Sequence, residues 1–186
     1  MRLYEFDYTQ YRKLVNQTMK KSGYRKIGSG VDSLVFARDA GTVIKIIVPE
    51  HDQPGVSDNT FLKWYEFCQK NKGNPHLPKF VEIQGQHHSS FNLDGIQLRQ
   101  IAMEKLKPMA AGSKVEEAVW EILTSDPSDT PISPATKQLP WAKDFYNTVK
   151  AVEAAGDAAG LRDDVDSDDN VMLRGNIPVI TDPWID

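Results

Sequence analysis

A chain of 186 residues is long enough for one domain or two small lobes and too short for a multidomain machine. Hydrophobic residues make up 40% and charged residues 26%, so a packed core is possible and global disorder is excluded. The net charge of −4 is too small, and of the wrong sign, to draw a nucleic-acid backbone; the single cysteine, Cys68, has no partner for an internal disulfide; and no leader-like or long apolar run opens the chain. These features predict a soluble, cytoplasmic protein that engages neither nucleic acid nor membrane, and they leave its oligomeric state open.

Segment 6–21 places Phe6, Tyr8, Tyr11, Leu14, Val15 and Met19 near helical spacing and ends in Lys20-Lys21-Ser22-Gly23, which predicts an amphipathic helix. From Tyr24 the pattern changes to short β-branched runs over 24–28, 34–37 and 42–48, separated by Gly28-Ser29-Gly30 and Asp39-Ala40-Gly41, so three consecutive antiparallel strands are expected. A helix over 57–71 follows from the offsets of Phe61, Leu62, Trp64, Tyr65 and Cys68, with Ser57 or Asp58 as its cap and Gly73 and Pro75 as terminators. Residues 79–84 and 96–106 read as two further strands. Beyond Lys107-Pro108, helices are expected at 114–124 and from about 140 to 159, with a polar loop at 125–138 between them. The apolar runs 171–173 and 177–180 around Arg174-Gly175-Asn176 predict a small hairpin. No internal repeat is present. The pattern as a whole is α+β, with a five-stranded antiparallel region at 1–106 and a smaller, mainly helical region at 107–186.

Three places in this framework carry chemistry. Ile27-Gly28-Ser29-Gly30-Val31-Asp32-Ser33-Leu34-Val35 is a glycine-rich hairpin whose small residues let backbone N–H groups approach an anion such as phosphate; an ordinary tight hairpin has the same composition. In Thr42-Val43-Ile44-Lys45-Ile46-Ile47 one cation interrupts an apolar strand. Burying an ammonium is costly without an opposite charge, which a polyphosphate and a helix carboxylate would supply, Glu66 being the only glutamate in the following helix. The plainer alternatives are a lysine snorkelling to solvent and a solvated glutamate. Asn170 and Asp182 stand at opposite ends of the last hairpin, where an amide and a carboxylate suit one hard cation such as Mg²⁺ completed by phosphate and water, or serve only as turn formers.

Gly28-x-Gly30-x-x-Ser33-x-Val35, Val43-Ile44-Lys45, Asn170-Val171-Met172-Leu173 and Ile180-Thr181-Asp182-Pro183 together resemble the protein-kinase fold, and within it the early serine/threonine protein kinases of T-odd, short-tailed bacteriophages. The resemblance runs from about Tyr24 to Trp184 and is strongest at the two ends. It implies a two-lobed, protein-kinase-like fold with a five-stranded antiparallel N-lobe and a minimal, truncated helical C-lobe. It also implies that Lys45 holds the α and β phosphates of ATP, that Glu66 orients Lys45, and that Asn170 and Asp182 bind Mg²⁺. Gly28, Ser29 and Gly30 would cover the phosphates, with Ser33 in the place of a third glycine. Ile27, Val35, Met103 and Met172 would sandwich the adenine, and backbone groups from Glu104 to Leu106 would read its edge.

The family pattern is broken at two points. The position five before Asn170, where the family carries its catalytic aspartate, is Val165; Asp164 and Asp166 flank it, and Asp164 is the favoured base. The chain also stops four residues after Asp182, before the segment that normally positions a peptide acceptor, which leaves helix 6–21, loop 125–138 or a partner protein to replace it. The leading expectation is therefore an ATP- and Mg²⁺-dependent kinase acting on serine or threonine of host bacterial proteins. Self-phosphorylation would fall on Ser125, Ser128, Thr130, Ser133 or Thr136. A catalytically impaired relative that binds and inhibits a host protein comes second, and a small-molecule kinase of the aminoglycoside-phosphotransferase type well behind.

The aspartate-rich stretch Asp157 to Asp169 must be solvated or bound to cations. A calcium loop is disfavoured by Asp169 and Gly175 where such a loop needs glycine and glutamate. His87-His88 reads as a solvated loop.

Overall fold

In chain order the elements are α1 (Tyr8–Lys21), β1 (Arg25–Ser29), β2 (Ser33–Ala37), β3 (Thr42–Ile47), α2 (Val56–Lys70), β4 (His88–Leu93), β5 (Ile96–Glu104), α3 (Lys114–Leu123), α4 (Pro134–Lys137), α5 (Ala142–Ala158), β6 (Arg162–Asp163), β7 (Val171–Arg174), β8 (Ile177–Ile180) and β9 (Trp184–Ile185). This is a computed structural model. It describes residues 8–30, 33–47, 56–82, 85, 88–125, 130–167 and 170–185, the side chains of 8, 56–59, 96 and 97 excepted. The caps expected at Ser57 or Asp58 lie outside the described side chains. The chain divides into two units, one within Met1–Asn59 and Lys79–Lys105, the other Thr60–Pro78 and Leu106–Asp186. Residues 60–78 group with 106–186 and not with the sheet-bearing segment.

The first unit is a five-stranded antiparallel sheet in the order β1-β2-β3-β5-β4. Helix α1 forms because Tyr11, Val15 and Met19 recur every four residues, and that stripe is buried with Leu34, Phe36, Ile44, Ile46 and Leu98. Burial of each such side chain stabilises by roughly 1.5–3 kcal/mol. The helix stops at Gly23, whose φ of 85° suits glycine, with Gly23 N–H donating to the Lys20 carbonyl and Tyr24 N–H to that of Met19, a Schellman cap.

The fourth strand is His88–Leu93, and not 79–84 as its composition suggested. Asp94 and Gly95 both have positive φ, 52° and 85°, the two-residue turn that matches strand twist, so β4 folds back onto β5 with Leu93 opposite Ile96. Of 79–84, the described residues 79–82 lie beside the other end of β5: Phe80 bridges Met103, and Val81 N–H donates to the Ala102 carbonyl. Residues 83 and 84 fall outside the description. His88 is consequently half-buried at the start of a strand, which corrects its loop assignment; His87 is outside the described residues.

In the second unit α3 and α5 bury Ala118, Val119, Ile122, Phe145, Val149 and Val152. The stretch expected to be a loop at 125–138 contains α4, capped by Ser133 Oγ, which accepts from Thr136 N–H, with Pro134 pre-set for the first turn. Glu121 of α3 accepts hydrogen bonds from the Thr136 hydroxyl and from the Ser133 N–H and hydroxyl, and these hold its carboxyl below the usual carboxylate range. Two further two-stranded ribbons complete the unit, β7 with β8 as expected and β6 with β9, which was not. Around them Trp64 stacks on Phe67 at 5.6 Å, and both rings meet the Trp184 indole edge-on. Trp184 Nε1 donates to the Val152 carbonyl across Gly156, where an added Cβ would lie 2.7 Å from Nε1, so only glycine fits. Cys68 is buried nearby, and burial pushes its thiol up, away from thiolate chemistry. Among the described residues no helix is long and apolar enough to cross a membrane.

Candidate active site

In the first unit the candidate residues are placed by strand register. Val35 pairs with Lys45 and Lys45 with Ile101, while Val43 pairs with Met103, so these residues share one face. Leu34, Phe36, Ile44, Ile46 and Leu98 occupy the other face, under α1. Lys45 is thus a half-buried cation on an apolar strip opposite the helix. Val43 and Ile101 belong to this strip although the sequence reading did not single them out; the alternation about Lys45 carried the signal.

The glycine-rich hairpin connects β1 to β2. A bulge falls between Lys26 and Gly28, and Ile27 within it is 41% exposed. Ser29 pairs with Leu34, and Gly30 N–H donates to the Ser33 carbonyl at 3.1 Å. Val31 and Asp32 lie outside the described residues. A Cβ on Gly30 would come within 3.3 Å of the Ser33 hydroxyl, which is buried beneath the hairpin. From α1, Arg12 Nη2 donates to both the Gly30 and the Ser33 carbonyls, at 2.9 and 3.1 Å. At the end of β5, the Glu104 N–H is committed to the Lys79 carbonyl and the Lys105 N–H to that of Gly41, so neither reads a ligand edge. The Glu104 carboxylate accepts in turn from Lys79 N–H.

In the second unit the candidate residues are placed by side-chain hydrogen bonds around the last hairpin. Val171 pairs with Ile180, and Thr181 N–H donates to the Asn170 carbonyl at 2.8 Å, which sets half-buried Asp182 one residue beyond Asn170's partner. Trp64 Nε1 donates to the Thr181 carbonyl at 2.9 Å and pins the strand just before Asp182. Asn170 Nδ2 donates to the Asp164 carbonyl at 2.6 Å and to Asp164 Oδ2 at 2.9 Å, while Ser167 Oγ donates to Oδ1 at 2.5 Å. Asp164 N–H in turn donates to the Pro183 carbonyl. Of the two aspartates flanking the expected position, Asp164 therefore meets Asn170, and Asp166 is exposed. Val165 is buried, which explains the one-residue offset: its apolar side chain takes the inward position.

The hairpin is also held from behind, by residues the sequence reading missed. Arg174 donates to the Pro75 and Leu77 carbonyls, Ile180 N–H to the His76 carbonyl, and buried His76 Nδ1 meets the Pro178 carbonyl at 2.8 Å. Burial lowers the His76 pKa, so the ring is neutral and Nδ1 donates. Lys107 and Leu173 exchange backbone hydrogen bonds, which brings the chain after buried Leu106 alongside β7 and half-buried Met172. Glu66 is exposed on α2 in the second unit, and Lys45 belongs to the first.

The Asn170 amide nitrogen faces two acceptors, so its Oδ1 is turned away from Asp164; that oxygen and the Asp182 carboxylate are the hard donors Mg²⁺ prefers. Among the described residues no group of three or more His, Cys, Asp or Glu forms a metal cluster. The Asp164 carboxylate accepts from Ser167 and Asn170. Of the expected acceptor hydroxyls, Ser125 donates to the Ile122 carbonyl and Ser133 and Thr136 to Glu121, so these three are tied down; Thr130 is exposed, and Ser128 is outside the description.

No protein family matches the chain, and no curated protein does. Solved structures similar to it include the aminoglycoside phosphotransferase APH(2")-IIa in a ternary complex with streptomycin and ATP, at 16% identity and a TM-score of 0.41, over 98% of this chain and 72% of that one. The ADP-bound aminoglycoside phosphotransferase APH(2'')-Ib is similar at 16% identity and a TM-score of 0.41, over 91% of this chain and 69% of that one.

Proposed function

We propose that the chain is an ATP- and Mg²⁺-dependent phosphotransferase of protein-kinase-like organisation, with serine or threonine of a bacterial host protein as acceptor. The observation that carries this reading is the hydrogen bond from Asn170 to Asp164 beside the Asn170–Thr181 backbone pair, which gathers a carboxylate, an amide and the approach to Asp182 at one hairpin. In this reading Lys45 binds the α and β phosphates, Glu66 orients it, and Gly28, Ser29 and Gly30 cover them. Ile27, Val35, Val43, Met103 and Met172 enclose the adenine. Its edge is read by the Glu104 carbonyl and the Leu106 N–H, the Glu104 and Lys105 donors being spent elsewhere. Asn170 and Asp182 would hold Mg²⁺, which when bound neutralises charge on the phosphate oxygens. Asp164 accepts the proton of the acceptor hydroxyl, and Thr130 is the described hydroxyl open to self-phosphorylation.

A second reading, a nucleotide-binding relative that acts by occupying a host protein, is favoured by one observation: both Asp164 carboxylate oxygens already accept bonds, from Ser167 and Asn170. Titration with ATP and Mg²⁺, followed by transfer of labelled phosphate to host lysate, separates the two. For the phosphotransferase, Asp164→Asn lowers transfer about 10²–10⁴-fold while ATP affinity holds within about twofold. ATP binding with no transfer supports the occupying role, and absence of ATP binding overturns both.

A further inference from the structure

The turn after β6 holds a hydroxyl against the carboxylate assigned as base. Ser167 Oγ donates to Asp164 Oδ1 at 2.5 Å, the length of a hydroxyl bonded to an ionised carboxylate. Asn170 Nδ2 donates to Oδ2 of the same carboxylate at 2.9 Å and to the Asp164 carbonyl at 2.6 Å. The turn does not need the hydroxyl bond to close. Its backbone is already joined by Ser167 N–H to the Asp164 carbonyl at 3.2 Å and by Asn170 N–H to the Ser167 carbonyl at 2.9 Å, and Asp164 N–H donates to the Pro183 carbonyl. Ser167, Asp164, Asn170 and Asp182 all belong to the second unit and all are half-buried, so the hydroxyl is not sealed in a core.

A nucleophile bonded to a base that a third group orients is the arrangement that activates a serine hydroxyl, and here the three are Ser167, Asp164 and Asn170. A general base acts on a proton within its hydrogen-bond reach, and Ser167 supplies one. Exposure recommends Thr130 as a self-phosphorylation acceptor; contact with the base recommends Ser167. We propose that Ser167 is a phosphorylation site of the chain's own activity, the γ-phosphoryl group of ATP passing to Ser167 Oγ within one molecule. This rests on the phosphotransferase reading of Asp164, Asn170 and Asp182. In the step the bond between Oγ and the γ phosphorus forms, and the bond from that phosphorus to the oxygen bridging it to the β phosphorus breaks. ADP leaves with the electron pair, and the hydroxyl proton goes to Asp164 Oδ1. Nucleophile and base share one turn, so their encounter is intramolecular. The phosphoserine produced carries negative charge against the Asp164 carboxylate, so repulsion replaces the bond.

The test incubates the full chain with γ-labelled ATP and Mg²⁺ over a range of protein concentrations and maps the label by mass in the wild type, Ser167→Ala, Ser167→Thr and Asp164→Asn. The side-chain amide resonances of Asn170 are recorded without nucleotide. Label is expected on Ser167 at a first-order rate independent of protein concentration, lost in Ser167→Ala, retained in Ser167→Thr, which keeps a hydroxyl, and slowed about 10²–10⁴-fold in Asp164→Asn. Without nucleotide, Ser167→Ala shifts the Asn170 amide signals, because Asp164 loses the bond that fixes its Oδ1. Should the alanine variant fail to fold, the wild type and Ser167→Thr decide the site from the map. Label on Thr130 or on a host protein, with none on Ser167, overturns this site and leaves the phosphotransferase reading standing. A Ser167 labelling rate that rises with protein concentration overturns the intramolecular step, and unmoved Asn170 signals overturn the contact on which it depends. ATP binding with no label anywhere overturns the phosphotransferase reading and this site together.

Discussion

Lys45 is placed by a ladder: Val35 on one side and Ile101 on the other fix its position, and the alternation of β3 fixes its face. Asn170, Asp164 and the approach to Asp182 are placed otherwise, by an indole, an amide, a guanidinium and an imidazole that each bond to a backbone carbonyl. A ladder distributes its task over many backbone groups, so side chains can change without moving the register. A hairpin four residues a side depends on individual donors, so the second unit is the one in which single substitutions displace functional groups.

The largest effect is therefore expected at Trp64. Trp64→Ala removes a buried ring and should cost about 3–5 kcal/mol in denaturant unfolding, whereas Trp64→Phe keeps most of the volume, loses the bond to Thr181 and should cost about 1–2 kcal/mol. Equal costs would mean that packing alone holds the strand before Asp182. Next comes Gly156→Ala, whose Cβ would strike the Trp184 ring 2.7 Å away, at about 1–3 kcal/mol and with loss of near-ultraviolet indole signal. Ile46→Val in the sheet should cost only about 0.5–1.5 kcal/mol and leave the β3 amide shifts in place; a register change there would break the contrast between the units.

The smallest effect near neutral pH belongs to His76. Its folded pKa is lowered by burial, so the unfolded chain binds the extra proton. The stability it contributes is complete above the unfolded value of 6.5 and is lost as pH falls from there through the folded value. His76→Asn should flatten unfolding free energy over that window, and an unchanged slope would assign the trend to other groups.

Regular elements were legible in the sequence where one face is buried over several turns or pairs. The stripe Tyr11, Val15, Met19 announced α1, and β-branched runs announced β2 and β3. Strand β4 was hidden because His88-Ser89-Ser90-Phe91-Asn92-Leu93 is an edge strand with one solvated face, although Asp94-Gly95 was a usable hairpin signal. Helix α4 was hidden by its brevity, since four residues show no period, and it stands on Glu121 from another helix. Lys45, Asn170 and Asp182 stood out as candidates because polar groups interrupt or flank apolar runs. Arg12, Trp64, His76 and Arg174 did not, because a side chain that bonds a distant carbonyl leaves no local pattern.

The sequence by itself determined the element types of the long segments, the sheet's apolar faces and the few residues capable of phosphate and cation chemistry, because periodicity and residue chemistry are local properties. Only the tertiary structure decided that Asp164 meets Asn170 while Asp166 is exposed, that Trp64 pins the chain before Asp182, and that Arg12 bonds the Gly30 and Ser33 carbonyls. Those contacts join residues 117 positions apart in the case of Trp64 and Thr181, and a hydrogen bond of that span exists only once the chain has folded.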